Sequence, residues 1–238
     1  HLAVACTGLV GDNTVNFLSA KQELPLKSQL ETAFNLPVTI LNDAAAAAWA
    51  EYSILNDFGK LEKNESLVYI TVSTGVGGGL IQNGQLVVSK DGFCAHLGHT
   101  SVHHPSNKLL ECHCGRINCV EAISSGTAIA SQASQILNKS VSCKEVFEQY
   151  AYIEAINEII NDSARAVSDL IANMKAATGA SHFVLGGSVG SASIFYQKVQ
   201  QHVLHFPSIY QLTLSPPQCG ADADLLGAYW YSKSLTTT

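Results

Sequence analysis

The sequence predicts an α/β fold, on three observations. Segments rich in β-branched and apolar residues alternate along the chain with segments of helical periodicity. Glycine-rich turns directly follow two of the expected strands. With 238 residues, 47% of them hydrophobic, the chain can bury a sizeable core. A (β/α)8 barrel is a weaker alternative, because eight similar strand–helix units cannot be counted.

The charge balance disfavours some classes of partner. The net charge is −6 with only 13 lysines and arginines, whereas a nucleic-acid groove needs clustered basic residues. No apolar run reaches the roughly 18 residues of a membrane span, and no signal-peptide pattern is present, so we expect no membrane association. Four of the seven cysteines resemble ordinary buried thiols: Cys6, Cys94, Cys143 and Cys219. This cysteine usage fits a reducing, cytoplasmic setting.

The first elements in chain order are a strand over 2–6, a helix over 25–34, a strand over 37–43 and a helix over 44–55. Five consecutive alanines give the second helix a strong helix propensity. The strand before it ends at Asn42 and Asp43, and open α/β sheets bind ligands at such carboxyl ends. Asp43 is therefore a candidate general base for a substrate hydroxyl, with helix N-cap as the structural alternative.

The stretch "SLVYITVSTGVGGGLIQNGQLVV" (66–88) predicts a strand to Thr74, a turn of four glycines (Gly75 and 77–79) and a hairpin tipped by Asn83-Gly84. Backbone N–H groups of such a turn could bind phosphate. The pattern is neither a Walker A motif nor a dinucleotide-binding fingerprint. A hairpin with a glycine bulge explains it equally well.

The remaining chain completes the alternation of strands and helices. Residues 92–121 read as irregular, and the chain is largely helical from 126 to 178, with the long helix stopping at Gly179. A strand over 182–187 ends in a glycine pair, which is a weak signal of nucleotide contact. A helix over 190–203, a strand over 210–215 and a helix over 220–233 follow.

Three cysteines lie within eight positions, at Cys112, Cys114 and Cys119. A disulfide fits a reducing compartment poorly, and an iron–sulfur cluster normally takes four thiolates. Structural zinc is commonly bound by three cysteines and one histidine. The candidate histidines are His96, His99, His103, His104 and His113. Three unligated thiols remain the alternative, and a closed zinc site would have no open position for chemistry.

Glu121 follows the last cysteine of this cluster by two residues. A loop fixed by a metal would hold its carboxylate rigidly, which is a sound way to position a substrate-binding group.

Five segments in this order resemble the ROK family of sugar kinases, over nearly the whole chain. They are "LNDAAAAAWAEY", "ITVSTGVGGGL", "AHLGHT", "CHCGRINCVEAISSG" and "LGGSVG". The resemblance implies the two-lobed actin-like ATPase fold, which is ribonuclease H-like. The rest of an incomplete first lobe would span 1–65. The second lobe would span 66–219, with a zinc-binding loop at 99–119, and a terminal helix over 220–238 would pack back toward the first lobe.

The implied activity is the ATP-dependent phosphorylation of a sugar 6-hydroxyl, with Mg2+. Many relatives have Glu where this chain has His96, and a histidine there resembles the branch that acts on N-acetylmannosamine in sialic acid catabolism. The resemblance also implies a cytoplasmic homodimer whose partners are the sugar and ATP, with structural zinc.

The resemblance assigns a role to each matching residue. Asp43 is the catalytic base. The sugar-binding residues are Asn42, His96, His99 and Glu121. The ATP-binding residues are Thr74, Gly75, Gly77 and Gly78 at the phosphates, with Gly186 and Gly187 near the adenosine. The zinc ligands are His99, Cys112, Cys114 and Cys119.

This chain departs from the family pattern in three places. Family members begin with a strand and an Asp-x-Gly-Gly-Thr turn for phosphate and Mg2+, which nothing here matches, so we expect an upstream segment to be needed for turnover. The sugar-contacting stretch of the family is represented by a shorter segment, 17–26. The zinc loop is a few residues longer, with Asn118 in place of a glycine, and Asn tolerates the left-handed conformation.

Other functions fit parts of this pattern. ROK-type transcriptional regulators respond to sugars and share the core. A glucose-specific ROK hexokinase shares the chemistry. A third alternative is a zinc-stabilised structural subunit without catalytic activity. An upstream Asp-x-Gly-Gly-Thr turn would indicate a kinase, and an upstream helix-turn-helix would indicate a regulator.

Overall fold

A computed structural model describes residues 1–17, 20–61 and 65–236. The chain divides into two compact units. The first comprises His1–Tyr69, Gly78–Ala95 and Pro217–Thr238, and the second comprises Ile70–Gly77 and His96–Pro216. The lobe boundaries expected at 65/66 and 219/220 stay a prediction. Residues 18–19 of the expected sugar-contacting stretch, residues 62–64 of the expected first lobe and residues 237–238 of the expected terminal segment lie outside the described residues.

The described residues form the strands β1 (Leu2–Cys6), β2 (Leu9–Val10), β3 (Val15–Phe17), β4 (Gln22–Leu24), β5 (Val38–Asn42), β6 (Leu67–Val72), β7 (Val76–Gln82), β8 (Gln85–Leu86), β9 (His182–Gly186) and β10 (Thr213–Ser215). Their helices are α1 (Leu26–Phe34), α2 (Asp43–Asp57), α3 (Val120–Ser124), α4 (Gly126–Leu137), α5 (Cys143–Glu145), α6 (Glu154–Thr178), α7 (Gly187–Gly190), α8 (Ser193–Leu204) and α9 (Ala223–Ser234).

The first unit contains two small sheets. β1 and β5 pair in parallel, with Cys6 opposite Asn42 at their carboxyl ends. β2, β3 and β4 form an antiparallel sheet that the sequence analysis did not predict. α2 packs closely on α9, because Gly227 has no side chain to collide with the Ala46 carbonyl oxygen. Buried alanines on α2 let the two helix backbones approach in this way.

The glycine-rich segment differs from its prediction. The turn after β6 comprises Ser73–Gly75, and the predicted turn residues Gly77, Gly78 and Gly79 lie inside β7. A Cβ on Gly79 would come within 3.0 Å of the Ala44 carbonyl oxygen, so a glycine is needed there for packing and not for a turn. The hairpin prediction is confirmed, since Asn83 and Gly84 join β7 to β8 with positive φ angles of 51° and 75°.

In the second unit β10 pairs in parallel with β9, and β9 lies next to β6. The long helix α6 buries one face and ends at Gly179, whose φ of 71° confirms the predicted stop. The predicted helix over 190–203 is divided into α7 and α8. The segment 92–121 is irregular as expected, apart from one 3₁₀ turn at Leu97–His99 and the start of α3 at Val120.

The four scattered thiols are free, and each is half-buried instead of fully buried. Among the described residues, no helix combines the length and the apolar character needed to cross a membrane.

Candidate functional site

The carboxyl end of β5 passes directly into α2, and the N-cap of α2 is Asn42. Its side-chain Oδ1 accepts hydrogen bonds from the backbone N–H groups of Ala44 (3.0 Å) and Ala45 (3.2 Å). The N-cap alternative considered for Asp43 is therefore wrong, because the helix begins one residue earlier than expected. The Asn42 Nδ2 atom donates to the carbonyl oxygen of Gly8 (3.1 Å), which follows β1.

Asp43 occupies the first turn of α2, and its Oδ1 accepts a hydrogen bond from the N–H of Ala44 (2.8 Å). The positive end of the helix dipole favours an ionised carboxylate at this position. Burial, with the nearby charge of Asp43, raises the pKa of the Cys6 thiol to about 11. Asp43 is the group here whose chemistry suits a general base.

The three clustered cysteines meet one of the five candidate histidines, His99. The ligand atoms of His99, Cys112, Cys114 and Cys119 all lie within 4.8 Å of one another. The His99 Nδ1 atom is 3.6 Å from the Cys112 Sγ atom, and the Cys114 and Cys119 Sγ atoms are 3.5 Å apart. Tetrahedral zinc with Zn–S bonds of about 2.3 Å separates its sulfur ligands by roughly 3.8 Å, so this donor set fits zinc.

The thiols of this cluster differ in their environment. Burial raises the pKa of Cys112 and raises that of Cys119 to about 12. A hydrogen bond from the Arg116 backbone N–H lowers the pKa of the exposed Cys114. Because a metal binds thiolates, loading the cluster would release protons.

Asn118 closes the loop that carries the cluster. Its φ of 54° lies in the left-handed region, as the sequence analysis expected for the residue in place of a glycine. Its side chain also accepts a hydrogen bond from the Leu110 N–H (2.7 Å) and donates one to the Lys108 carbonyl oxygen (3.0 Å). A glycine could make neither bond, so the asparagine secures the longer loop.

His96 precedes the 3₁₀ turn and His99 is its last residue, and their rings are parallel with centroids 6.4 Å apart. The His99 Nδ1 atom faces the cysteine cluster, which leaves Nε2 on the opposite side of the ring. The Arg116 guanidinium donates to the His99 carbonyl oxygen (2.8 Å) and so fastens this residue to the cysteine loop.

Glu121 lies in the first turn of α3, and Cys119 is the N-cap residue of that helix. Its Oε2 atom accepts a hydrogen bond from the backbone N–H of Val76 (3.1 Å), just past the Ser73–Gly75 turn. The predicted substrate carboxylate and the predicted phosphate turn are thus in contact within the second unit.

A cavity of about 720 Å³ opens beside that turn in the second unit, a size that suits a small-molecule ligand. Thr74 is part of its wall, whereas the lining residues after β9 are Ser188 and Val189 and not the predicted Gly186 and Gly187. No sequence pattern indicated the remaining lining residues: Ser73, Gly126, Thr127, Ala130, Cys143, Lys144, Phe147, Glu148 and Ala192.

One local sequence pattern could have indicated part of the cavity wall. Ser142 and Glu145 form a capping box at the start of α5, with reciprocal hydrogen bonds between side chains and backbone. Such a Ser-x-x-Glu pattern marks a helix start in a sequence, and it brings Cys143 and Lys144 to the cavity. Burial raises the pKa of the Cys143 thiol to about 11, so this thiol is not a ready nucleophile.

The predicted site residues are therefore divided between the two units. Asn42 and Asp43 belong to the first unit, together with Gly78. The others belong to the second unit: Thr74, Gly75, Gly77, His96, His99, Cys112, Cys114, Cys119, Glu121, Gly186 and Gly187.

Comparison with known proteins identifies relatives over nearly the whole chain. An N-acetylmannosamine kinase of Haemophilus influenzae is 38% identical over 241 aligned residues, which cover 99% of this chain and 78% of that protein. Among solved structures, the ROK hexokinase of Thermus thermophilus superposes with a TM-score of 0.82 at 27% identity, covering 98% of this chain and 79% of that chain.

A ROK family glucokinase from Streptomyces griseus, solved in complex with glucose and AMPPNP, superposes with a TM-score of 0.79 at 26% identity. The alignment covers 98% of this chain and 81% of that chain. These likenesses confirm the predicted α/β, actin-like ATPase fold. The profile of the ROK family matches residues 1–234. This chain belongs to the ROK family.

Proposed function

We propose that this protein is a sugar kinase that transfers the γ-phosphoryl group of ATP to the 6-hydroxyl of N-acetylmannosamine. The observation that carries the proposal is the 38% identity, over 99% of the chain, to a relative named for that activity. The half-buried Asp43 at the start of α2 would supply the carboxylate that the reaction needs.

In this proposal Asp43 accepts the proton of the 6-hydroxyl and orients its oxygen toward the γ-phosphorus. Phosphoryl transfer depends mainly on positioning and charge stabilisation, so one well-placed base is enough for the nucleophile. The hydrogen bond from Ala44 N–H to Oδ1 fixes the orientation of this carboxylate.

Four further side chains are proposed to hold the sugar: Asn42, His96, His99 and Glu121. The capping bonds and the bond to Gly8 hold the Asn42 amide in one orientation, which leaves one Nδ2 hydrogen for a hydroxyl. With the His99 Nδ1 atom turned to the cysteine cluster, its Nε2–H is left to donate to a sugar oxygen. His96, in place of the Glu of many relatives, supports N-acetylmannosamine over glucose.

ATP is proposed to occupy the cavity of the second unit. Thr74, Gly75 and Gly77 would lie toward the phosphates, with Gly78 following on β7. Gly186 and Gly187 would lie near the adenosine through the adjoining wall residues Ser188 and Val189. Mg2+ bound with ATP would supply positive charge to the transferring phosphoryl group.

Zinc is proposed to be held by His99, Cys112, Cys114 and Cys119. A closed site with four protein ligands supplies structural cross-linking and no chemistry. Its contribution would be to fix the loop that presents His99 and leads through Cys119 into the helix of Glu121. We also propose a cytoplasmic homodimer without nucleic-acid or membrane partners, with lobes at 1–65 and 66–219 and a terminal segment, 220–238, that contains α9.

The proposal is tested by product analysis. The protein, expressed with any coding sequence that precedes His1, is incubated with Mg2+, ATP and either N-acetylmannosamine or glucose, and the products are identified by NMR. We expect a 6-phosphate of N-acetylmannosamine, formed with a higher kcat/KM than the glucose product. Preference for glucose would reassign the substrate, and sugar-dependent DNA binding without turnover would favour the regulator alternative.

A further inference from the structure

The turn between β6 and β7 is held by an unbroken stretch of chain that starts at the cysteine cluster. Glu121 accepts a hydrogen bond from the N–H of Val76, just past the turn, with 3.1 Å between nitrogen and Oε2. Five residues later, the N–H of Gly126 donates to the Ser73 carbonyl oxygen (2.7 Å). The Thr127 hydroxyl then donates to the Thr74 carbonyl oxygen (2.9 Å).

The absence of a side chain on Gly75 leaves room for this carboxylate. A Cβ atom on Gly75 would lie 2.8 Å from the Glu121 Oε2 atom, which is closer than real Cβ contacts allow. The φ of Gly75 is not in the left-handed region, and the atoms that a Cβ would meet belong to the Glu121 carboxylate, the mobile end of that side chain. Any side chain here would push the carboxylate away from the Val76 N–H.

The hydrogen bond to Glu121 joins a carboxylate to a backbone donor in a half-buried place, and bonds to charged acceptors are roughly twice as strong as neutral ones. Within the described residues, no protein donor reaches the Oε1 atom of Glu121, so the two oxygens of this carboxylate are not equivalent. One oxygen braces the turn, and the other remains for a ligand.

We propose that Glu121 is a positioning residue for the turn that borders the nucleotide cavity, in addition to its proposed role at the sugar. The proposal rests on the proposed function for the identity of the ligand in that cavity, whose wall includes Ser73 and Thr74. Loss of the carboxylate then weakens nucleotide binding even when no sugar is present. A residue that served the sugar alone would leave that affinity unchanged.

The test combines two measurements on E121A, E121Q and G75A, with E158A as the control on an exposed face of α6. Amide hydrogen exchange, resolved by NMR, reports the Val76 N–H without any ligand. Calorimetry reports the affinity for a non-hydrolysable ATP analogue with Mg2+ in the absence of sugar. We expect roughly tenfold faster Val76 exchange in E121A, a smaller effect in E121Q, and weaker nucleotide binding in E121A and G75A.

The proposal would be overturned if E121A kept the wild-type exchange rate of the Val76 N–H or the wild-type affinity for the nucleotide. It would also be overturned if E158A changed both quantities as much as E121A does. If the wild-type protein, expressed with any coding sequence that precedes His1, binds no nucleotide, the proposed function fails, and Val76 exchange still decides whether Glu121 holds the turn. If G75A does not fold, E121A and E121Q are sufficient for the test.

Discussion

The side-chain amide of Asn42 joins the end of β5 to the carbonyl oxygen of Gly8, 3.1 Å from its Nδ2 atom, while its Oδ1 atom caps α2. One side chain thus fixes two adjacent backbone segments next to Asp43. Loss of the amide should cost both the cap and the bond to Gly8.

We predict that Asn42→Ala lowers the free energy of unfolding by about 2 kcal/mol, from about 1 kcal/mol for the cap and about 1 kcal/mol for the hydrogen bond. Asn42→Ser keeps a capping oxygen but cannot reach Gly8, and it should lose about 1 kcal/mol. Urea denaturation at equilibrium measures the free energy of unfolding of both variants. Equal losses for the two variants would show that the cap contributes nothing.

The loop that carries the cysteine cluster depends on Asn118. Asn118→Gly keeps the left-handed backbone available but removes the side-chain bonds to Lys108 and Leu110, so we predict a loss of about 2 kcal/mol. Asn118→Ala adds the strain of a left-handed non-glycine residue, about 1 kcal/mol more. The unfolding free energies of both variants check this order. A glycine variant as stable as wild type would contradict it.

Local patterns in the sequence predicted the main elements because those elements follow local rules. The end of α6 needed only the glycine at 179, and the β7–β8 hairpin needed only Asn83-Gly84, since each of these residues tolerates a positive φ. The same reasoning misplaced the glycine turn, because Gly79 is required by a contact with α2, which is distant in sequence.

The candidate site was predictable to a similar degree. Cysteine spacing indicated a metal site but left five histidines open. The family resemblance named His99, and the folded loop brings that histidine to the cluster. The contact of Glu121 with Val76 spans 45 positions along the chain, so no local sequence pattern predicts it. Asn42 took the N-cap in place of Asp43 because both residue types suit that position and the helix start differed by one residue.

Metal analysis tests the cysteine cluster. We predict about one zinc per chain, with loss of zinc and a lower thermal unfolding midpoint in Cys119→Ser, because one of four ligands is removed. The matched control is Cys94→Ser, which changes a half-buried thiol of the other unit. Zinc content that is negligible in the wild type, or equal in the two variants, would contradict the structural-zinc proposal.

The stability of the second unit should depend on pH through His104, which is 1% exposed. Burial lowers its pKa, as do Lys108 and His103, against the opposing effect of Asp162. As the pH falls, His104 therefore takes up a proton in the unfolded chain before it does so in the folded chain. The stability that is present above about pH 6.5 is lost as the pH falls through the pKa of His104 in the folded state.

The variant His104→Asn tests this dependence, because an amide oxygen can accept the Ser106 N–H in place of Nδ1 but does not titrate. We predict a smaller loss of unfolding free energy between pH 7 and pH 5 in this variant, measured by urea denaturation. His205→Asn, which changes an exposed histidine, should behave as wild type. An unchanged pH profile in His104→Asn would refute the assignment.

The central claim is that Asp43 is the base of an N-acetylmannosamine kinase, and single-turnover phosphorylation of that sugar by Asp43→Asn tests it most directly. We predict a rate lower by roughly 10²- to 10⁴-fold, with sugar affinity largely kept, whereas Asp57→Asn at the far end of α2 retains the wild-type rate. Phosphorylation of N-acetylmannosamine by Asp43→Asn at the wild-type rate would contradict the account.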